Sequence, residues 1–157
     1  MAEHFIIPEG GKAERYAELY KQMAAVVAGE HDTIANMANM AAMLHATFRF
    51  WWTGFYRVAD GELVLGPFQG PIACTRIKFG RGVCGTAWKT QETQVVEDVE
   101  KFPGHIACSS LSRSEIVVPV WQGESIVAVL DIDSEHLATF DETDKAWLEK
   151  IVTLLYQ

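Results

Sequence analysis

The chain predicts an α+β domain with a largely antiparallel central sheet flanked by helices, and three observations lead there. Two blocks with helical apolar spacing come first, a run of β-prone segments joined by turn signals fills the middle, and one more helical block closes the chain. With 157 residues, 49% of them apolar, the length suits one domain with a full core, so residues 1–157 are expected to form a single domain.

Taken in order, a helix is predicted over about 13–28, because Tyr16, Leu19, Tyr20, Met23 and Val27 recur on one stripe and Gly29 follows. It is expected to pack on the core. A second helix spans 33–48, with Asp32 as N-cap and Ile34, Met37, Ala41, Leu44 and Phe48 on one stripe. Met37, Met40 and Met43 read as core filling rather than a metal or cofactor box, since a flexible thioether packs irregular gaps well.

The period then changes. Residues 51–59 are aromatic and β-prone, Asp60-Gly61 signals a tight turn, and 62–68 supplies the partner strand of a hairpin. Alternation places Trp51 and Phe55 inward and Trp52, Gly54 and Tyr56 on the other face. The segment 66–85 holds five glycines and two prolines, which predicts a long functional loop. A short helix is expected from Gly82, carrying Cys84 and Trp88, then a strand over 93–96 and an irregular stretch through Phe102-Pro103-Gly104. Strands over 114–120 and 125–133 form a second hairpin through Gln122-Gly123-Glu124, with Pro119 near a strand end or an unpaired position. The last helix starts at Asp141 as N-cap and runs to Leu155.

Charge narrows the function classes. Thirteen basic against 21 acidic residues give a net charge of −8, with no Lys/Arg cluster to attract a phosphate backbone or anionic lipid. Nucleic acid and membrane partners are therefore not expected. The start lacks a basic segment followed by an apolar run, so a cytoplasmic protein is expected. Cys74, Cys84 and Cys108 are an odd number without disulfide-scaffold density, which predicts thiols reduced at rest. No Cys-x-x-Cys spacing occurs, and no metal site is expected.

Two features suggest chemistry. Cys108 lies in Gly-His-Ile-Ala-Cys-Ser-Ser-Leu-Ser-Arg-Ser-Glu, residues 104–115, where small and hydroxylated neighbours suit a reactive thiol better than an aliphatic core does. Asp131 and Asp133, two apart in an apolar strand, must share a face. A hairpin centred on Gly123 sets Glu115 opposite Asp131 and makes a three-carboxylate patch in which one pKa must rise. The alternative is a strand that has already reached solvent at Asp131, with Asp133 and Ser134 starting a turn.

Several motifs together carry a resemblance: Trp52-Thr-Gly-Phe-Tyr56, Leu65-Gly-Pro-Phe-Gln-Gly70, Ala73-Cys-Thr-Arg-Ile77, Gly80-Arg-Gly-Val-Cys-Gly-Thr-Ala-Trp88, Phe102-Pro-Gly-His-Ile-Ala-Cys108, Ser112-Arg-Ser-Glu-Ile-Val-Val-Pro119 and Val129-Leu-Asp-Ile-Asp-Ser134. The chain resembles the free methionine-(R)-sulfoxide reductases, which are stand-alone GAF domains, over about residues 33–155. The resemblance implies reduction of free L-methionine (R)-S-oxide to L-methionine, with Cys108 as nucleophile and Cys74 or Cys84 resolving its sulfenic acid as a disulfide. Of the two, Cys74 is favoured. It also implies that Glu115, Asp131 and Asp133 bind and polarise the substrate, that Asp133 or Glu115 donates a proton, and that Trp52, joined by Tyr56, walls the methyl end. No bound cofactor is implied; thioredoxin or another dithiol recycles the disulfide. The family commonly has an acidic residue where Ser109 stands. Rival readings are a GAF sensor that responds through Cys108 without turnover, and a dimerisation module using the first helix; a homodimer suits the reductase as well.

Overall fold

The computed structural model describes residues 4–105 and 111–156. Six strands are laid down in chain order: β1 Trp52–Ala59, β2 Glu62–Gln69, β3 Arg76–Lys78, β4 Gln94–Val96, β5 Ser114–Gln122 and β6 Ser125–Ser134. They form one sheet in the order β3-β2-β1-β6-β5-β4, with every neighbouring pair antiparallel. Helices α1 Lys12–Val27, α2 Thr33–Phe48, α3 Gly82–Thr90 and α4 Glu142–Val152 complete the fold. No helix among the described residues is long and apolar enough to cross a membrane.

The sheet separates two apolar clusters because its strands alternate. On one face Phe55, Ile116, Val118, Leu130 and Ile132 meet α1, α2 and α4. Met37, Met40 and Met43 lie in this core, as their spacing predicts. On the other face Trp52, Tyr56, Val117 and Val129 meet Val83, Cys84 and Ala87 of α3. Trp51 departs from the expectation. It precedes β1, so strand alternation does not govern it, and it packs with the α3 cluster rather than beside Phe55.

Helix α1 is fastened to α4 by a buried carboxylate. Asp144, 1% exposed, accepts from Lys12 Nζ at 2.7 Å, from Tyr16 Oη at 2.6 Å and from the Asp141 backbone N–H at 2.9 Å. Asp141, the predicted N-cap, accepts in return from the Thr143 and Asp144 backbone N–H groups and closes a capping box.

The predicted loop over 66–85 is more ordered than its composition suggests. Strand β2 continues to Gln69, and β3 pairs with its first half. Between the pairs Gly54↔Phe68 and Tyr56↔Leu65, β2 has two residues, Gly66 and Pro67, where β1 has one. At such a bulge a proline displaces no ladder donor, so β2 passes through Pro67. Pro119 stands inside β5, past residues 115–117, which are those paired with β4.

The second hairpin also differs in detail from its prediction. Glu115 pairs with Asp133, and Val117 with Asp131, two residues away from a register centred on Gly123. The turn is the two-residue Gly123-Glu124, since Gln122 pairs with Ser125, which shifts the register by one. Between Val120↔Ala128 and Trp121↔Ile126, β6 carries one extra residue, Val127, which shifts it by one more. Two single shifts restore parity. Glu115, Asp131 and Asp133 therefore still share a face, and β6 runs to Ser134 rather than leaving the sheet at Asp131.

Candidate functional site

Antiparallel pairing sets the site out in rows on the α3 face. Trp52, Asp133, Glu115 and Val96 lie across β1, β6, β5 and β4 in one row, and Gly54, Asp131 and Val117 in the next. Directly opposed residues point to the same side of a sheet, so two adjacent rows deliver three carboxylates beside a tryptophan. Gly54 makes space for that ring. A Cβ there would lie 2.7 Å from Trp52 Cη2 and collide with Phe68 Cβ, so the indole rests along the strand only because the side chain is missing. Phe68 and Tyr56 flank it, with ring centroids 5.2 and 5.9 Å away.

Helix α3 and two loops close the pocket. Trp52, Tyr56, Ile72, Ala73, Arg81, Cys84, His105, Ser112 and all three carboxylates line it. Glu115 and Asp131 are buried, at 5% and 6% exposure, and Asp133 is half-buried. Asp133 Oδ1 accepts from Ser112 Oγ at 3.0 Å. Asp131 Oδ1 is buried with no hydrogen-bond partner among the described residues. A buried carboxylate oxygen without such a partner, in a pocket lined by further acids, marks a place where a donor from outside would be stabilised.

Proton affinities follow from this burial. Burial, reinforced by Asp131 and then Asp133, pushes Glu115 well above the usual carboxylate range. Asp133 is likewise pushed well above it by burial and by Asp131, with the Ser112 hydroxyl working the other way. Asp131 is also raised by burial, but hydrogen bonds from Glu115 and Cys84 oppose the shift. Of the three, Asp131 is therefore the acid that gives up its proton most readily. His105 Nε2 lies 4.0 Å from Glu115 Oε1, and burial lowers its pKa, so a neutral imidazole faces the acids.

The cysteines are placed unequally. Cys84 is a free thiol on α3, 4% exposed, and burial followed by the charge of Asp131 keeps it protonated. Cys74 is disulfide-bonded, which overturns the expectation of resting thiols for this residue; a cysteine that cycles through a redox state need not be reduced in every form. Cys108, the predicted nucleophile, and Ser109 lie outside the described residues. Cys84, Glu115 and Asp131 each offer an atom within 4.8 Å of the others, a spacing that suits a small cation or an ammonium group.

Of the predicted site residues, Trp52, Tyr56, Cys84, Glu115, Asp131 and Asp133 line one pocket. Sequence reasoning did not single out Arg81, His105 or Ser112. Their signals were present only as positions inside the quoted motifs, since charge and hydroxyl content do not tell a pocket wall from a solvated loop.

Comparison with known proteins adds a second line of observation. The GAF domain family model matches residues 28–156. GAF domain-containing protein A of Dictyostelium discoideum is 56% identical, covering 99% of each chain. The free methionine-R-sulfoxide reductase of Escherichia coli is 47% identical, covering 92% of this chain and 88% of its own. Among solved structures, the free methionine-R-sulfoxide reductase of Neisseria meningitidis in complex with its substrate superposes with a TM-score of 0.96 at 53% identity, over 98% of this chain and 93% of that one.

Proposed function

This chain belongs to the free methionine-(R)-sulfoxide reductases, a family of GAF domains, and from that premise we propose that it reduces free L-methionine (R)-S-oxide to L-methionine in the pocket between β1, β5, β6 and α3. The observation that carries the reading is the convergence of Trp52, Glu115, Asp131 and Asp133 on one sheet face, with Asp131 Oδ1 lacking a partner among the described residues. Asp131 receives the substrate ammonium, Arg81 at the pocket wall meets the carboxylate, and Trp52 with Tyr56 covers the methyl end. A peptidyl methionine sulfoxide brings an uncharged nitrogen and added bulk to the same place, so the free amino acid is selected.

The chemistry runs through Cys108, whose role rests on the family pattern. Its thiolate attacks the sulfoxide sulfur while Glu115 or Asp133, each held protonated by burial, gives its proton to the sulfoxide oxygen. The sulfoxide S–O bond and the new bond between Cys108 and the substrate sulfur then break as the hydroxyl passes to the Cys108 sulfur, so methionine leaves and Cys108 becomes a sulfenic acid. The Cys74 thiol then attacks that sulfur, a disulfide forms, and the hydroxyl departs with the Cys74 proton as water. The disulfide at Cys74 supports its choice over Cys84, whose thiol is buried and firmly protonated. An external dithiol, thioredoxin in the cytoplasm, restores both thiols by exchange and takes up the oxidising equivalents. The whole chain, residues 1–157, works as one GAF domain.

The test is a multiple-turnover assay on the free (R)-sulfoxide with dithiothreitol. Sustained methionine production is expected, with little from a peptidyl sulfoxide and none from Cys108→Ser. Absence of turnover, or activity retained in Cys108→Ser, overturns the reading.

A further inference from the structure

The two β1 aromatic residues that wall the pocket also hold the segment joining β2 to β3, and from this we infer that Tyr56 is a positioning residue for the resolving Cys74. The inference rests on the reductase reading above. Residues 70–75 belong to no strand or helix, and three of their carbonyl groups are held from outside the segment. Trp52 Nε1 donates to Pro71 O at 3.0 Å, Tyr56 Oη donates to Cys74 O at 2.9 Å, and the Leu65 backbone N–H donates to Thr75 O at 2.9 Å. Gly70 fixes the start of the segment against the indole: its φ is +132°, and a Cβ there would lie 2.8 Å from Trp52 Cδ1 and 2.9 Å from the Trp51 carbonyl.

Apolar packing anchors the centre of the segment only in part, through the partly buried Ala73, which packs against the α3 cluster. Ile72, between the two carbonyls held by side chains, is 91% exposed. Hydrogen bonds from β1 therefore act beside this packing in setting where the Cys74 backbone stands. Tyr56 is 2% exposed, and burial reinforced by the charge of Asp131 raises its pKa, so the hydroxyl remains a donor. The bond reaches the backbone of Cys74 itself, so losing it moves the sulfur rather than a neighbouring side chain. Disulfide closure tolerates little such movement, because the two α-carbons must come within a narrow range and the sulfur must approach in line.

The step affected is the second one. The S–O bond of the Cys108 sulfenic acid breaks, the S–S bond to Cys74 forms, and the Cys74 proton leaves with the hydroxyl as water; no added oxidant is required. A residue serving only as substrate wall would act earlier, on binding and methionine release. Tyr56 thus links pocket and resolving thiol: one side of its ring faces the substrate site while its hydroxyl holds the loop.

Tyr56→Phe separates these roles, since it keeps the ring and deletes the donor. With enzyme in excess over sulfoxide and no reductant, methionine release and loss of the sulfenic acid, captured with dimedone, are followed on the same sample. Closure is expected to slow by at least about fivefold more than methionine release, with more captured sulfenic acid than in the unsubstituted enzyme. Tyr56→4-aminophenylalanine, which restores a donor, is expected to recover closure. Equal slowing of both steps, or no change in closure, overturns the inference while leaving the reductase reading intact. If Tyr56→Phe does not fold, Tyr56→4-fluorophenylalanine supplies the same comparison. An unsubstituted enzyme that releases no methionine rejects the reductase reading, and this inference with it.

Discussion

Two sets of buried carboxylates lie on opposite faces of the sheet, and they are satisfied to different extents. Asp144, on the α1/α4 side, has a lysine ammonium, a tyrosine hydroxyl and a backbone N–H within 2.9 Å. Asp131, on the α3 side, shares its pocket with two further acids, and its Oδ1 has no partner among the described residues. Burial of an acid is thus no guide to its role. Asp144, whose oxygens are filled by the protein, ties α1 to α4, whereas Asp131, with an oxygen left open among like charges, is the acid proposed to receive a ligand.

The sharpest test of that contrast is Asp131→Asn. Removing the charge proposed to receive the ammonium should lower kcat/KM by about 10²–10³-fold, because charge pairs in closed sites carry several kcal/mol. Thermal stability should hold or rise, since a repulsive centre is gone. An unstable variant with ordinary kinetics would remove the distinction. Asp144→Asn should do the opposite: unfolding free energy measured in urea falls by about 2–4 kcal/mol, while kcat of the folded fraction stays near that of the parent. Loss of turnover in a stable Asp144→Asn protein would place this acid in the catalytic path.

The acidic pocket should also give stability a pH slope. Glu115 and Asp133 bind protons more tightly folded than unfolded, so their contribution is complete below the ordinary carboxylate pKa and is lost as pH rises through the elevated folded values. Between pH 5 and pH 7 the ligand-free protein should lose about 2 kcal/mol relative to a Glu115→Gln/Asp133→Asn double variant. Identical slopes in the two proteins would show that both carboxylates ionise normally. The smallest effect belongs to Tyr16→Phe, which deletes one of the hydrogen bonds on Asp144 and should cost about 1.5 kcal/mol in a denaturant melt, with kinetics unaffected.

Sequence patterns predicted elements well where one period dominates. The helices at α1, α2 and α4, the Asp32 and Asp141 caps and the two hairpins all follow from apolar spacing and turn residues. They failed where a bulge intervenes. Gly66 and Pro67 read as loop because their composition is that of loops, yet they sit inside β2, where the ladder skips a residue. Of the two residues by which the Glu115 register was misjudged, one comes from the two-residue turn at Gly123-Glu124 and one from the bulge at Val127, which leaves no compositional mark among the apolar residues of β6. Same-face placement of the three acids survived only because two single-residue shifts preserve parity.

At the site, residue types were legible and their surroundings were not. The sequence by itself determined that Asp131 and Asp133 share a face, that three cysteines are present with no metal-binding spacing, and which family the motifs resemble; strand periodicity and covalent order fix such properties locally. Tertiary structure alone decided which acid is left without a partner among the described residues, that Tyr56 and Trp52 reach from β1 to the carbonyls of Cys74 and Pro71, and that Cys84 is a buried, protonated thiol. Those outcomes depend on how closely segments distant in the chain approach and how much water they exclude, and neither quantity is encoded at any one position.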